Sequence, residues 1–153
     1  MLADFVLQRL AALRVRLGGR AAGIWKVEGD RLAQVAFDPA PDLPREVAEG
    51  FAAATISVDL ARRDLGIVEA AASGKVVVSV AASLPPEAGS GYWLRAFGAT
   101  RSVAVPILGA DGRAGAVVSV ALGPEPGDEA VAALIREEGA GLVGPTPGQW
   151  AEG

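Results

Sequence analysis

The sequence predicts an α+β fold with one central antiparallel β-sheet and helices packed on it. Three observations support this. Two pairs of short apolar runs, within 24–37 and 100–122, each fold back across a glycine-containing turn as antiparallel hairpins do. Helical periodicity opens and closes the chain, at 2–17 and 129–138. Between the hairpins the pattern turns helical again, so the sheet has helices available to cover at least one face.

In chain order, LADFVLQRLAALRVRL at 2–17 places Leu2, Phe5, Val6, Leu10, Leu13 and Leu17 on one side at helical spacing, and Gly18-Gly19 supplies the stop. The period then becomes that of strands: Ile24 to Val27 and Leu32 to Phe37 alternate across Glu28-Gly29-Asp30. DPAPDLP breaks the chain with prolines, and Pro44 suits a helix's first turn, where its missing N–H costs nothing. The helix predicted from there covers 45–60, with Val47, Phe51, Ala54 and Val58 in register, against the opposing preferences of Gly50 and the β-branched Thr55, Ile56 and Val58.

DLGIVEAAASGKVVVSV predicts a short helix closed by Gly74 and a strand at 76–80. The connection at 81–99 is too long and too rich in Pro, Gly and Ser for a simple turn, and only YWLRAFG within it suits a helical turn or two, with Ser90 as cap. In the second hairpin Val103, Val105 and Ile107 face one way and Ser102, Ala104 and Pro106 the other. Asp111-Gly112 reverses the chain, and Val118, Val120 and Leu122 resume a face. Pro106 cannot donate to a ladder, so it marks an edge, a bulge or a strand end. The last helix, 129–138, has Val131, Leu134 and Ile135 as its buried stripe and Asp128 as cap, before Gly139 and Gly141 loosen it. These elements make one domain over 1–144, followed by a flexible tail at 145–153.

The chemistry is sparse. The chain has 153 residues, the size of one globular domain, and half of them are apolar with few aromatics, so Ala, Val, Leu and Ile must fill the core. Its 14 basic and 18 acidic side chains leave a net charge of −4, which argues against nucleic-acid or membrane-surface partners. Arginines crowd the first twenty residues and acids the last thirty, so the two ends attract. No apolar run is long enough to span a bilayer, and the first residues lack a signal peptide's apolar core, so a cytoplasmic location is expected. There is no cysteine and no histidine. Disulfides, thiolate nucleophiles and histidine-based acid–base work are excluded, and carboxylates, lysines or serines form no paired constellation. Asp59, Asp64 and Glu69 recur at five-residue intervals, which does not hold them on one helical face for a metal. The glycines match no phosphate-binding spacing, and Ser90 in Gly89-Ser90-Gly91 has no histidine to activate it.

Three stretches taken together, LGIVEAAASGKVVVSV at 65–80, TRSVAVPIL at 100–108 and GRAGAVVSVAL at 112–122, give the chain a resemblance from residue 2 to about 135. It resembles the GAF domain, a sensory module of bacterial signalling proteins and phosphodiesterases. The resemblance implies a GAF/profilin-like sheet with the two terminal helices on one face and, on the other, a pocket under the inserted helices and loops. The chain departs from the family's chemistry. Bilin attachment and methionine sulfoxide reduction there use cysteines, haem ligation uses histidine, and the Asn-Lys-x-Asp-x-Glu pattern of cyclic-nucleotide binders is missing. The cofactor, if any, stays unidentified.

A pocket of that kind draws its wall from the 81–99 connection, the adjoining strand ends and the 45–66 region. Tyr92, Trp93, Arg95, Phe97 and Arg101 are the candidate ligand-binding residues: aromatic rings stack on a planar or apolar ligand, and an arginine forks onto a carboxylate or phosphate. Simple burial, which pins such a loop to the sheet, is the competing account of these aromatics. Arg62 and Arg63 lie either at the pocket mouth or on a solvated helix end, and Trp25 is expected in the core. The function expected is a non-catalytic, stand-alone sensory or regulatory domain for a small apolar or anionic molecule, signalling to a protein partner or as a homodimer through Phe5, Val6, Leu10, Leu13 and Leu17, a stripe whose equal alternative is to cover the sheet. The rival is a roadblock- or longin-like interaction module with the same layers and no pocket.

Overall fold

Alternating apolar residues in both hairpins organise the structure, a computed structural model that describes residues 2–143, with side chains described within 4–142. The elements are α1 (Leu2–Leu17), β1 (Ala21–Glu28), β2 (Arg31–Pro39), α2 (Arg45–Ala54), β3 (Ser57–Asp59), α3 (Gly66–Ser73), β4 (Val77–Val80), α4 (Gly89–Phe97), β5 (Arg101–Leu108), β6 (Ala114–Leu122) and α5 (Asp128–Val143), with a 3₁₀ turn at Ala81–Ser83. The six strands form one sheet in the order β3-β2-β1-β6-β5-β4, and every neighbouring pair is antiparallel. The chain closes this sheet by pairing β1 with β6 (Gly23 opposite Ser119, Trp25 opposite Val117).

Both faces are covered. Val6, Leu10, Leu13 and Leu17 of α1 and Val131, Ile135 and Leu142 of α5 pack on Ile24, Val103, Val105, Val118, Val120 and Leu122. On the other face Phe51, Ile67, Val68, Leu94 and Phe97 cover Trp25, Leu32, Ala104, Val117 and Ala121. The terminal helices therefore share one face and the inserted helices the other, as the resemblance implies. The opposite charges of the two ends meet there: Arg9 and Arg16 reach Glu138 at 3.2 and 3.7 Å. Such exposed pairs contribute only about 0–1 kcal/mol each, so apolar burial holds the layer and the charges trim its rim.

The packing corrects several local expectations. The second helix ends at Ala54 and not at 60: Thr55 donates its hydroxyl to the Phe51 carbonyl at 2.9 Å, and the β-branched run behind it pairs with β2 as β3. The helical turn expected in 81–99 is a nine-residue helix that begins at Gly89, with no side-chain cap; Ser90 accepts a hydrogen bond from the Gly66 amide instead. Asp128 pairs with Arg101. The last helix runs to Val143 through Gly139, because a glycine there lets the helix backbone close on Ile107 and Val118. Leu10, Leu13 and Leu17, expected in a dimer face, are between 0 and 7% exposed and cover the sheet, which leaves Phe5 as the outward member of that stripe. Gly74 closes α3 in the left-handed conformation as expected, and Pro106 lies just past the end of the β4–β5 ladder. The predicted tail at 145–153 lies outside the described residues.

Candidate functional site: an aromatic-roofed cavity

On the face covered by α2, α3 and α4, the three adjacent strands β1, β6 and β5 carry small side chains: Ala21 and Gly23, Ser119 and Ala121, and Ser102. The elements above them carry rings, Phe51 on α2 and Trp93 and Phe97 on α4, with Phe37 and Trp25 at the side. Small residues beneath large ones that brace one another leave a hollow, here about 40 Å³. That is room for a few water molecules, since one needs roughly 10–15 Å³.

Phe51 is the centre of the roof. Its ring centroid lies 6.1 Å from Trp25, 5.2 Å from Trp93 and 5.1 Å from Phe97, edge to face in each case, and 5.1 Å from Phe37, tilted at 45°. Edge-to-face pairs of this kind contribute about 0.5–1.5 kcal/mol beyond their burial, so Phe51 ties the rings of the roof together. Trp25 is fixed as well: its indole Nε1 donates to the Thr55 carbonyl at 2.9 Å. The indole lies over Gly23, where a Cβ would come within 2.3 Å of it.

Helix α4 is held from below and at its ends. The Ser90 hydroxyl accepts from the Gly66 amide at 2.9 Å, tying α4 to α3. Arg95 donates to the carbonyls of Ala81, Leu84 and Gly91 and so anchors the 3₁₀ turn to α4. Gly89 and Gly98, both left-handed, bound the helix.

Of the five candidate residues, Trp93 and Phe97 line the cavity and the other three do not. Tyr92 is 46% exposed and leans on the outer side of Trp93, at 5.0 Å. Arg95 spends its donors on main-chain carbonyls. Arg101 is buried at the start of β5, next to Ser102 in the chain, and donates to the carbonyls of Gly123 and Pro126 and to the Asp128 carboxylate at the approach to α5. Both arginines direct their guanidinium N–H groups to main-chain carbonyls, and Arg101 also to Asp128, away from the cavity. Gly23, Phe37, Phe51, Ser102 and Ser119 also line the cavity, and nothing in the sequence marks them as site residues. Phe51 showed only as a helix-stripe residue, and the floor exists only once β1 and β6 pair.

No titratable side chain lines the cavity. Its polar side chains are three serines, Ser90, Ser102 and Ser119. A second, wider groove of about 300 Å³ runs along β4 beneath α3, bordered by Arg63, Asp64, Glu69, Ser79 and Leu84. Its charges are already matched. Arg62 donates to Asp64 at 3.0 and 3.1 Å and Arg63 to Glu69 at 2.6 and 2.9 Å. Those hydrogen bonds hold both carboxyls below the usual carboxylate range. Arg62 and Arg63 are thus the exposed, ion-paired end of a loop and no part of the aromatic cavity. Among the described residues no group of three acidic side chains could hold a metal ion, and no helix is long and apolar enough to cross a membrane.

No family model matches the sequence, and no curated relative does. Solved structures do match the fold. The chain is similar to the GAF domain of an Acinetobacter phosphoenolpyruvate-protein phosphotransferase, with a TM-score of 0.68 at 15% identity over 98% of this chain and 84% of that one. It is similar to a free methionine-R-sulfoxide reductase from Neisseria meningitidis solved with its substrate, at TM-score 0.65 and 19% identity over 93% and 75% of the two chains. A phycocyanobilin-bound GAF domain from a cyanobacterial phytochrome matches at TM-score 0.59 and 20% identity over 94% and 84%. At these identities the likeness shows the GAF fold and nothing finer.

Proposed function

We propose that the domain is a non-catalytic sensory or regulatory module that takes a small molecule into the aromatic-roofed cavity and passes its occupancy to the terminal helices. The cavity carries this reading: small strand residues meet a braced aromatic roof on the face where the GAF resemblance implies a pocket. A binding role also fits the residue inventory. The sulfoxide reductase shares the fold, yet the chain has no cysteine for the thiol chemistry the family uses. A path to the output side supports signalling. Ser102 lines the cavity, and its neighbour Arg101 grips the segment leading into α5, so movement of β5 pulls on the start of that helix. A cytoplasmic protein partner or a second copy would receive the signal, the latter through the outward side of α1, where Phe5, Leu7 and Val15 are exposed.

The small size of the hollow favours a second reading, an interaction module of the roadblock or longin kind whose aromatics simply fill the space. A thermal-shift screen of small metabolites separates the two. A compound present at about a hundred times its dissociation constant adds roughly 2.7 kcal/mol of stability. For a domain of this size that raises Tm by roughly 5–10 °C. A hit that perturbs Trp93 supports the sensor. A blank screen across neutral, anionic and cationic compounds sinks it in favour of the interaction module. Sedimentation of the same sample at tens of micromolar decides the dimer, which a purely monomeric boundary rules out.

A further inference from the structure

Resting on that reading, we propose that the cavity's ligand is a small, uncharged aromatic compound of about phenol or indole size, carrying one hydrogen-bonding group and admitted by an outward swing of the Trp93 side chain. Three features of the cavity lead there.

The first is charge. No acidic or basic side chain lines the cavity. The two arginines the sequence offers nearby are occupied, Arg95 by the carbonyls of Ala81, Leu84 and Gly91 and Arg101 by Gly123, Pro126 and Asp128. An ionic ligand would lose its hydration with no counter-charge to replace it. A neutral one pays no such penalty.

The second is shape. Four rings surround Phe51 at 5.1–6.1 Å, a geometry that a flat aromatic guest continues, ring edge against ring face. The hollow of about 40 Å³ does not hold a ring as it stands, since a benzene site needs roughly 150 Å³. Trp25 is locked by Thr55 and Phe51 by its neighbours. Trp93 is half-buried on α4, with Phe51, Phe97 and the exposed Tyr92 as its ring neighbours, whereas the half-buried Phe37 is carried by a sheet strand. Its edge rests over Gly50, which has no side chain to hold the ring in place. Trp93 is thus the ring that can yield its place to a guest and move toward solvent.

The third is polarity. Ser102 and Ser119 stand on adjacent strands of the floor and face the cavity, and Ser102 is only 9% exposed. They are the polar points of a floor that is otherwise alanine and glycine. A hydroxyl that opens onto an apolar cavity favours a guest carrying one group to hydrogen-bond with it.

The test uses the full chain, titrated by calorimetry and by the indole N–H signals in NMR with three probes: phenol, toluene (the same ring without the hydroxyl) and benzoate (the same ring with a charge). Phenol is expected to bind with shifts at Trp93, and toluene and benzoate at least tenfold more weakly. Ser102→Ala is expected to lower phenol affinity about tenfold to the toluene level while leaving toluene unchanged, and Ser119→Ala serves if that variant misfolds. Benzoate binding as tightly as phenol at Trp93 overturns the ligand class and leaves the sensing reading standing. Phenol binding that moves neither Trp93 nor responds to either serine variant places the ligand elsewhere and overturns the proposal. Silence from all three probes overturns it too, while the sensing reading falls only if the wider metabolite screen is also blank.

Discussion

At the scale of single residues, two helical glycines show how identical chemistry gains opposite meaning from its surroundings. Gly50 sits inside α2, and a Cβ there would meet only the Trp93 ring, at 3.5 Å, an ordinary contact. Gly91 sits inside α4, and a Cβ there would lie 2.0 Å from the Pro85 carbonyl oxygen, a main-chain atom that cannot swing aside. Alanine in a helix gains up to about 1 kcal/mol over glycine. Gly50→Ala is therefore expected to stabilise the fold by about 0.5–1 kcal/mol, and Gly91→Ala to destabilise it by about 1–3 kcal/mol through overpacking, both measured by urea denaturation. If Gly91→Ala is neutral or stabilising, α4 does not rest on Pro85 as described. Sequence alone marks both glycines equally as helix weakeners; the sign of each change lies in contacts between segments.

At the scale of elements, Arg101 is a tie between β5 and α5. It is 6% exposed and donates to the Gly123 and Pro126 carbonyls and to Asp128. Arg101→Met keeps the length and loses the donors, so about 2–3 kcal/mol of stability is expected to go, the value of hydrogen bonds to a charged group. Amide exchange at the start of α5 should quicken by about tenfold or more while α1 is unaffected; equal change in both helices would mean a global effect and no specific tie. The periodic elements are legible because each is set by its own few residues: α1, both hairpins, the Gly74 stop and the stripe of α5 are all written locally. β3 is not, since three residues form a strand only because β2 offers an edge at Arg31 to Ala33. Helix α4 begins before its apolar residues do, because Gly66 and the 3₁₀ turn hold it from outside. The site divides the same way. Trp93 and Phe97 stand out as aromatics in a long connection, while the floor of Gly23 and Ser119 depends on two strands about a hundred residues apart.

At the scale of the whole molecule, the charge inventory predicts the pH response. The folded carboxyls of Asp42, Asp64 and Glu69 lie below their ordinary range because Arg20, Arg62 and Arg63 respectively donate to them. As pH falls, the unfolded chain takes up protons at these positions first, so the stability they contribute is complete above the ordinary carboxylate range and is lost as pH drops through the lowered folded values. With no histidine, stability should be flat between about pH 5 and 8 and then decline. Urea midpoints across that range check this, and the double variant Asp64→Asn, Glu69→Gln should show a shallower acid decline; an unchanged slope would assign the loss to other groups. The pairing of β1 with β6 also sets a timetable at the ribosome. The opening helix and first hairpin emerge with apolar surface on both sides, and their partner strand follows only after roughly 80 further residues, on the order of ten seconds at ordinary elongation rates. Until then nascent polypeptide offers sticky surface to whatever is near, which makes early chaperone contact a property of this topology itself.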